Sequence, residues 1–206
     1  MDLDTPPLHS WSDVETFLLD DATHDLSVGV GPLPTLAAAI GDEVVALATL
    51  RPFDDTGPVP ALVEVLALLL PLGVDRVALR LTGRAWSTLD PIPPVDEAGD
   101  LRARVLVLVR ADGRRRPCRL STQLHELRPE PTTSGWTLGA AITDAEEQPA
   151  APLLEALGIL LDRRDELEED ATGATLVSQL GRILLLGHQI TLAPELAVHL
   201  TAASTA

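Results

Sequence analysis

Residues 101–125 read LRARVLVLVRADGRRRPCRLSTQLH, and the way this stretch pairs with itself decides the fold. Asp112-Gly113 lies between two runs of alternating apolar residues, one of the strongest short signals for a β-hairpin with a type I′ turn. With that pair at the centre, Leu101 faces Leu124, Ala103 faces Thr122, Val105 faces Leu120 and Val107 faces Cys118. All four pairs share one side, because strand side chains alternate with a period of two. The other side collects Arg102, Arg104, Arg119, Ser121, Gln123 and His125, interrupted by Leu106 and Leu108. A slip of one residue would turn the first set outward, so the pattern supports this register. It also opposes Arg110 to Arg115, and it places Pro117, which has no N–H to donate, at an edge or a bulge. Cys118 reads as a core residue, as free cysteine usually is. A thiolate held by Arg116 and Arg119 is the alternative, weakened because those arginines fall on the other side or near the tip.

Upstream, VDRVALRLT (74–82) reads as a strand with Val77, Leu79 and Leu81 on one face and Arg76, Ala78 and Arg80 on the other. Before it, Leu62, Val65, Leu66, Leu69 and Leu70 recur at helical spacing over 59–72. Ala61, Val63 and Leu68 make the opposite face apolar, so this helix is expected to be buried on most sides. TLAAAI and EVVALATL flank Gly41-Asp42 and suggest a second hairpin, although alanine-rich segments also suit a helix. Ser12 and Glu15 form a capping-box pattern for a helix over 12–22, with Trp11 as its staple. DLSVGVGPLP reads as a short strand and a turn.

Downstream, DPIPPVDEAGD (90–100) is a loop by composition, and 134–143 is a further strand. Leu153, Leu154, Leu157, Leu160, Leu161 and Leu167 mark one helix, and Leu176, Leu180, Ile183 and Leu184 a second. Pro194 opens a third. The architecture expected is α+β: a mainly antiparallel sheet with a packed central helix and C-terminal helices. The chain reads as one domain over 1–206, with 151–206 as its C-terminal helical portion.

The chain carries 31 Asp and Glu against 15 Lys and Arg, a net charge of −16, and all its basic residues are arginine. Such a field repels phosphate backbones and argues against nucleic acid as a partner. Arginine in place of lysine, with abundant alanine, leucine and proline, suggests a GC-rich bacterial source. A single cysteine leaves no disulfide framework and fits a reducing compartment. The N-terminus lacks the basic and apolar regions of a secretory signal, and PALVEVLALLLPLG (60–73) is shorter than the ~20 residues a membrane helix needs. A cytoplasmic protein without membrane contact is expected.

Chemistry-bearing motifs are few. The five histidines, His9, His24, His125, His188 and His199, include no pair at helical ligand spacing, so no metal is expected. LHEL (124–127) lacks the second histidine of a zinc-protease motif, and GVGPLP lacks the third glycine of a phosphate loop. DRRDELEED (162–170) reads as a solvated helix end. No cofactor and no catalytic set emerge. The leading expectation is a non-catalytic protein-binding or regulatory module, acting on a partner protein or as a homo-oligomer. Its candidate binding residues are Arg84 and Trp86, beside the 83–94 loop, and Arg114, Arg115 and Arg116 at the hairpin tip. The structural alternatives are that Trp86 covers the core and that the arginines form a solvated turn. An enzyme with a pocket of Trp86, Ser87, Asp90 and His125 is the second expectation. An acidic inhibitor or mimic that caps a basic protein is the third.

Overall fold

The computed structural model describes residues 10–53, 57–85, 102–129, 135–145, 152–168 and 172–203. Trp86, Ser87 and Asp90 lie outside the described residues. The fold is α+β. Seven strands form one antiparallel sheet in the order β6-β5-β4-β3-β1-β2-β7: β1 (Thr35–Ile40), β2 (Glu43–Thr49), β3 (Arg76–Ala85), β4 (Ala103–Asp112), β5 (Arg119–Pro129), β6 (Trp136–Ala145) and β7 (Gln189–Leu192). Helices α1 (Val14–Ser27), α2 (Pro58–Leu69), α3 (Pro152–Asp162), α4 (Arg164–Glu168), α5 (Gly173–Leu185) and α6 (Pro194–Ala203) complete the described chain. None of them is long and apolar enough to cross a membrane.

Both faces of the sheet centre are covered, and the sequence shows why. Ala37, Ala38 and Ala39 of β1 are all fully buried, a run without alternation that suits a strand packed on both sides. Alanine is a weak strand former, but its small side chain lets helices approach closely. On one face, Leu62, Val65, Leu66 and Leu69 of α2 and Leu153, Leu157 and Leu161 of α3 pack on Leu36, Ala38, Val77, Leu79, Val109 and Ala111. On the other, Val14 and Leu18 of α1 meet Ala37, Ala39, Ala78 and Leu108, while Ala22 and Leu26 meet Leu106 and Leu127.

Arg80 sits on the α1 face of β3 and is only 1% exposed. Its guanidinium donates to the Leu18 carbonyl at 3.0 Å, Asp21 Oδ2 at 2.8 Å, the Leu33 carbonyl at 3.0 Å and Thr35 Oγ1 at 3.0 Å. A buried charge is tolerated only with such a set of partners. Here it ties the helix and the chain that follows it to the sheet. Burial and the neighbouring Asp21 push the Asp25 carboxyl up, against the downward pull of Arg80.

Several expectations need correction. The 101–125 hairpin forms, but Asp112 pairs with Arg119, Val109 with Thr122 and Val105 with Glu126, so residues 113–118 make a longer connection than a two-residue turn. The shift is even in residue number, so Val105, Val107, Leu120 and Leu124 still share a face. Arg110 lies opposite Ser121 rather than Arg115, and it reaches Glu15 on α1. Ser12 does not cap α1. Its hydroxyl bonds to Ser10 and Asp13, and a 3₁₀ turn over Trp11–Asp13 leads into the helix. The strand expected within DLSVGVGPLP is absent, because α1 runs on to Ser27 and Gly29 turns the chain at φ 77°. The first C-terminal helix breaks at Arg163, which puts Leu167 in α4. Gly173 opens α5 behind the Thr172 cap, and β7 was not anticipated.

Candidate functional site

The connection from α1 to β1 creates the cleft. The helix stops at Ser27, whereas β3, β4, β5 and β6 continue past it, so among the described residues no helix covers the sheet face beyond Leu26. The chain turns back at Gly29 and returns through Gly31 and Pro32 to β1, forming the opposite wall. A cleft of about 330 Å³ results, lined by Leu26, Pro32, Arg84, Arg104, Leu127 and Trp136 among others. That is the small end of ligand cleft sizes, roughly 300–1,000 Å³.

Arg84 and Arg104 are directly paired residues of β3 and β4, so their side chains leave the same face of the sheet. Arg84 Nη1 donates to the Arg102 carbonyl at 2.8 Å. Arg104 lies over the indole of Trp136, with its Cζ 4.7 Å from the ring centroid. It forms no ion pair among the described residues, while most arginines of the chain do, among them Arg51, Arg76, Arg80, Arg110 and Arg128. The cleft therefore combines two permanent cations with an apolar floor. It can hold an anion and an attached apolar group.

The arginine tip is elsewhere. Arg114 to Arg116 follow β4 at the end opposite the cleft, roughly 30 Å away at strand rise. Arg114 folds back on Asp112, with its Nε and Nη2 at 3.1 and 2.8 Å from the carboxylate, and Arg116 pairs with Asp165. Two of these guanidiniums are thus engaged by the chain's own carboxylates. Cys118 is half-buried against the core below them, and its backbone N–H donates to Asp162 Oδ1 at 2.8 Å. Burial, with Asp162 and Asp112 nearby, pushes its thiol up to about 11, which keeps it protonated at neutral pH.

A second polar cluster joins three elements. The Arg51 backbone N–H donates to His188 Nδ1 at 3.1 Å, which leaves the ring proton on Nε2, 2.8 Å from Glu64 Oε2. Arg51 grips the same carboxylate through Nε and Nη2 at 2.9 and 3.1 Å. His188 is buried, and both of its ring nitrogens are occupied. The Arg51 hydrogen bond, with His188 adding, holds the Glu64 carboxyl below its ordinary value against the effect of burial. This is a clamp between α2, the end of β2 and the turn into β7. His125 is buried on the α1 face of β5, with Nδ1 at 3.0 Å from the Gly139 carbonyl and Nε2 without a hydrogen bond among the described residues. Among the described residues no three His, Cys, Asp or Glu side chains converge to hold a metal ion.

Of the described residues singled out from sequence, Arg84 lines the cleft. Arg104 and Trp136 were not singled out as site residues. Trp136 stands 32 residues beyond Arg104 in the chain, and only the β4–β5–β6 ladder brings them together. The available signal was two arginines, Arg84 and Arg104, flanking the connection between two strands. No protein-family model matches the chain, and no curated protein or solved structure is significantly similar to it.

Proposed function

We propose that this chain is a non-catalytic binding module of the bacterial cytoplasm that works through protein contacts, and that the cleft beyond α1 is where it grips its partner. The observation that carries this reading is the opposed pair Arg84 and Arg104 with Trp136 beneath the Arg104 guanidinium. Guanidinium groups stay protonated at any physiological pH, so they position anions and do not relay protons. Arginine and tryptophan together are also the residue types most enriched at the energetic centres of protein interfaces. Native mass spectrometry of the protein isolated gently from its host, beside an Arg104→Gln form, tests the reading. A bound protein subunit that is lost from the variant is the expected result. A monomer that retains a small molecule instead would overturn it in favour of a pocket with its own chemistry.

A further inference from the structure

We infer that the cleft takes an extended acidic peptide, with one side-chain carboxylate on Arg104 and the apolar residues two places before and after that acid on Trp136 and Leu127. This rests on the reading of the cleft as a protein-binding site and names what the partner must present.

Three observations converge. The Arg104 guanidinium lies over the Trp136 ring, with 4.7 Å from Cζ to the centroid. A cation–π contact does not use up the N–H donors as an ion pair would, and the five donors of a guanidinium can bind a carboxylate as a fork. Arg104 is exposed and has no carboxylate partner among the described residues, in a chain with 31 acidic residues and 15 arginines. Its fork is thus open in a molecule where acids outnumber cations two to one.

The second observation separates one carboxylate from a phosphate. The walls contributed by Leu26, Pro32, Leu127 and Trp136 are apolar, and the whole molecule carries −16. That field opposes a dianion or a polyanion more strongly than a single negative charge. A lone acid among apolar residues satisfies both the fork and the walls.

The third observation concerns shape. Among the described residues β6 is the outermost strand on its side of the sheet, and it begins with Trp136. Residues 136–143, WTLGAAIT, hold neither a charged residue nor a proline, two of the features that protect a free edge from strand addition, although the register with β5 shifts twice along them. The Trp136 stack draws the Arg104 charge across β5 toward this edge. An extended segment along β6 can therefore lay an acidic side chain on the fork.

The test is a titration of ¹⁵N-labelled protein, followed by NMR, with N-acetylated and C-amidated pentapeptides that carry a central Glu between Leu, Phe or Val residues. The matched Gln peptides, inorganic phosphate and adenosine monophosphate are run beside them. The Glu peptides are expected to shift the Trp136 indole, the Arg104 Nε–H and the β6 amides saturably. The Gln peptides should bind about tenfold or more weakly, the scale of a lost charge-assisted pair. Arg104→Gln should remove the preference for Glu while keeping the wild-type melting profile, because its side chain is exposed. Equal binding of Glu and Gln peptides would overturn the carboxylate assignment and leave the protein-binding reading standing. Shifts with phosphate or the nucleotide but not with peptides would overturn both. Silence from every probe would overturn the peptide assignment alone, with the partner search by native mass spectrometry still deciding the wider reading.

Discussion

Glu64 is a carboxylate in an acidic chain that stabilises rather than burdens the fold, because Arg51 and His188 converge on it from sequence positions 13 residues before and 124 residues after it. Its folded carboxyl lies below the ordinary value of 4.5. The stabilisation that follows is fully present above that ordinary value and is lost as pH falls through the folded value. Glu64→Gln should therefore lower stability at neutral pH by about 2 kcal/mol, by leaving the Arg51 fork half-satisfied. It should also flatten the decline in stability on acidification. Urea unfolding of both forms from neutral pH into the acid range measures this, and a variant that matched the wild type throughout would show that the cluster clamps nothing. Neither partner of Glu64 could be read from the chain. A histidine 124 residues away becomes a neighbour only when β7 docks beside β2. Arg84 was readable because it follows a clear strand, whereas Arg104 gains its meaning from the ladder partner opposite and from Trp136 beneath.

At the scale of elements, Gly113 explains why the hairpin was legible and its register was not. The alternation on both sides of Asp112-Gly113 announces the hairpin, and the even shift in pairing left the buried face as read. The turn type failed because Gly113 is occupied by tertiary contacts. Its N–H donates to the Asp75 carbonyl at 2.8 Å, its carbonyl accepts from Arg164, and a Cβ there would come within 2.9 Å of Arg164 Nη1 and 3.1 Å of both the Asp75 carbonyl oxygen and Leu161 Cβ. Two of those three neighbours are backbone or the stem of a buried leucine and have little room to yield. Gly113→Ala should destabilise by about 1–3 kcal/mol, the range for overpacking a tight site, with the loss read in the urea midpoint. Gly181→Ala, where a Cβ meets nothing within 4 Å on a helix, should be neutral or stabilising and serves as the matched control. A Gly113→Ala form as stable as this control would mean that the contact is slack. β7 escaped sequence reading for a related reason. Its four residues, QITL, are too short for a periodicity, and they become a strand only through the edge that β2 offers.

Across the whole molecule, charge has two opposing effects on stability, and their sizes decide which dominates. Among the described residues a few ion pairs are exposed at both ends, such as Arg163–Glu166 and Arg116–Asp165. Such pairs contribute about 0–1 kcal/mol each, and salt weakens them. Against them stands the mutual repulsion behind a net charge of −16, which acts through solvent over the whole surface and opposes the compact state. Salt screens that repulsion too, over a Debye length that falls to about 10 Å at 0.1 M. The pairs are few, short-ranged and individually weak, whereas every unbalanced carboxylate takes part in the repulsion. The second effect therefore outweighs the first. The melting temperature should rise by about 2–4 °C as sodium chloride is raised from near zero to physiological strength, corresponding to about 1 kcal/mol for a chain of this size. The buried Arg80 and Glu64 clusters should be nearly indifferent to the added salt, since burial shields them from it. A melting temperature that fell over the same range would mean that the surface pairs form a network strong enough to outweigh the excess of negative charge.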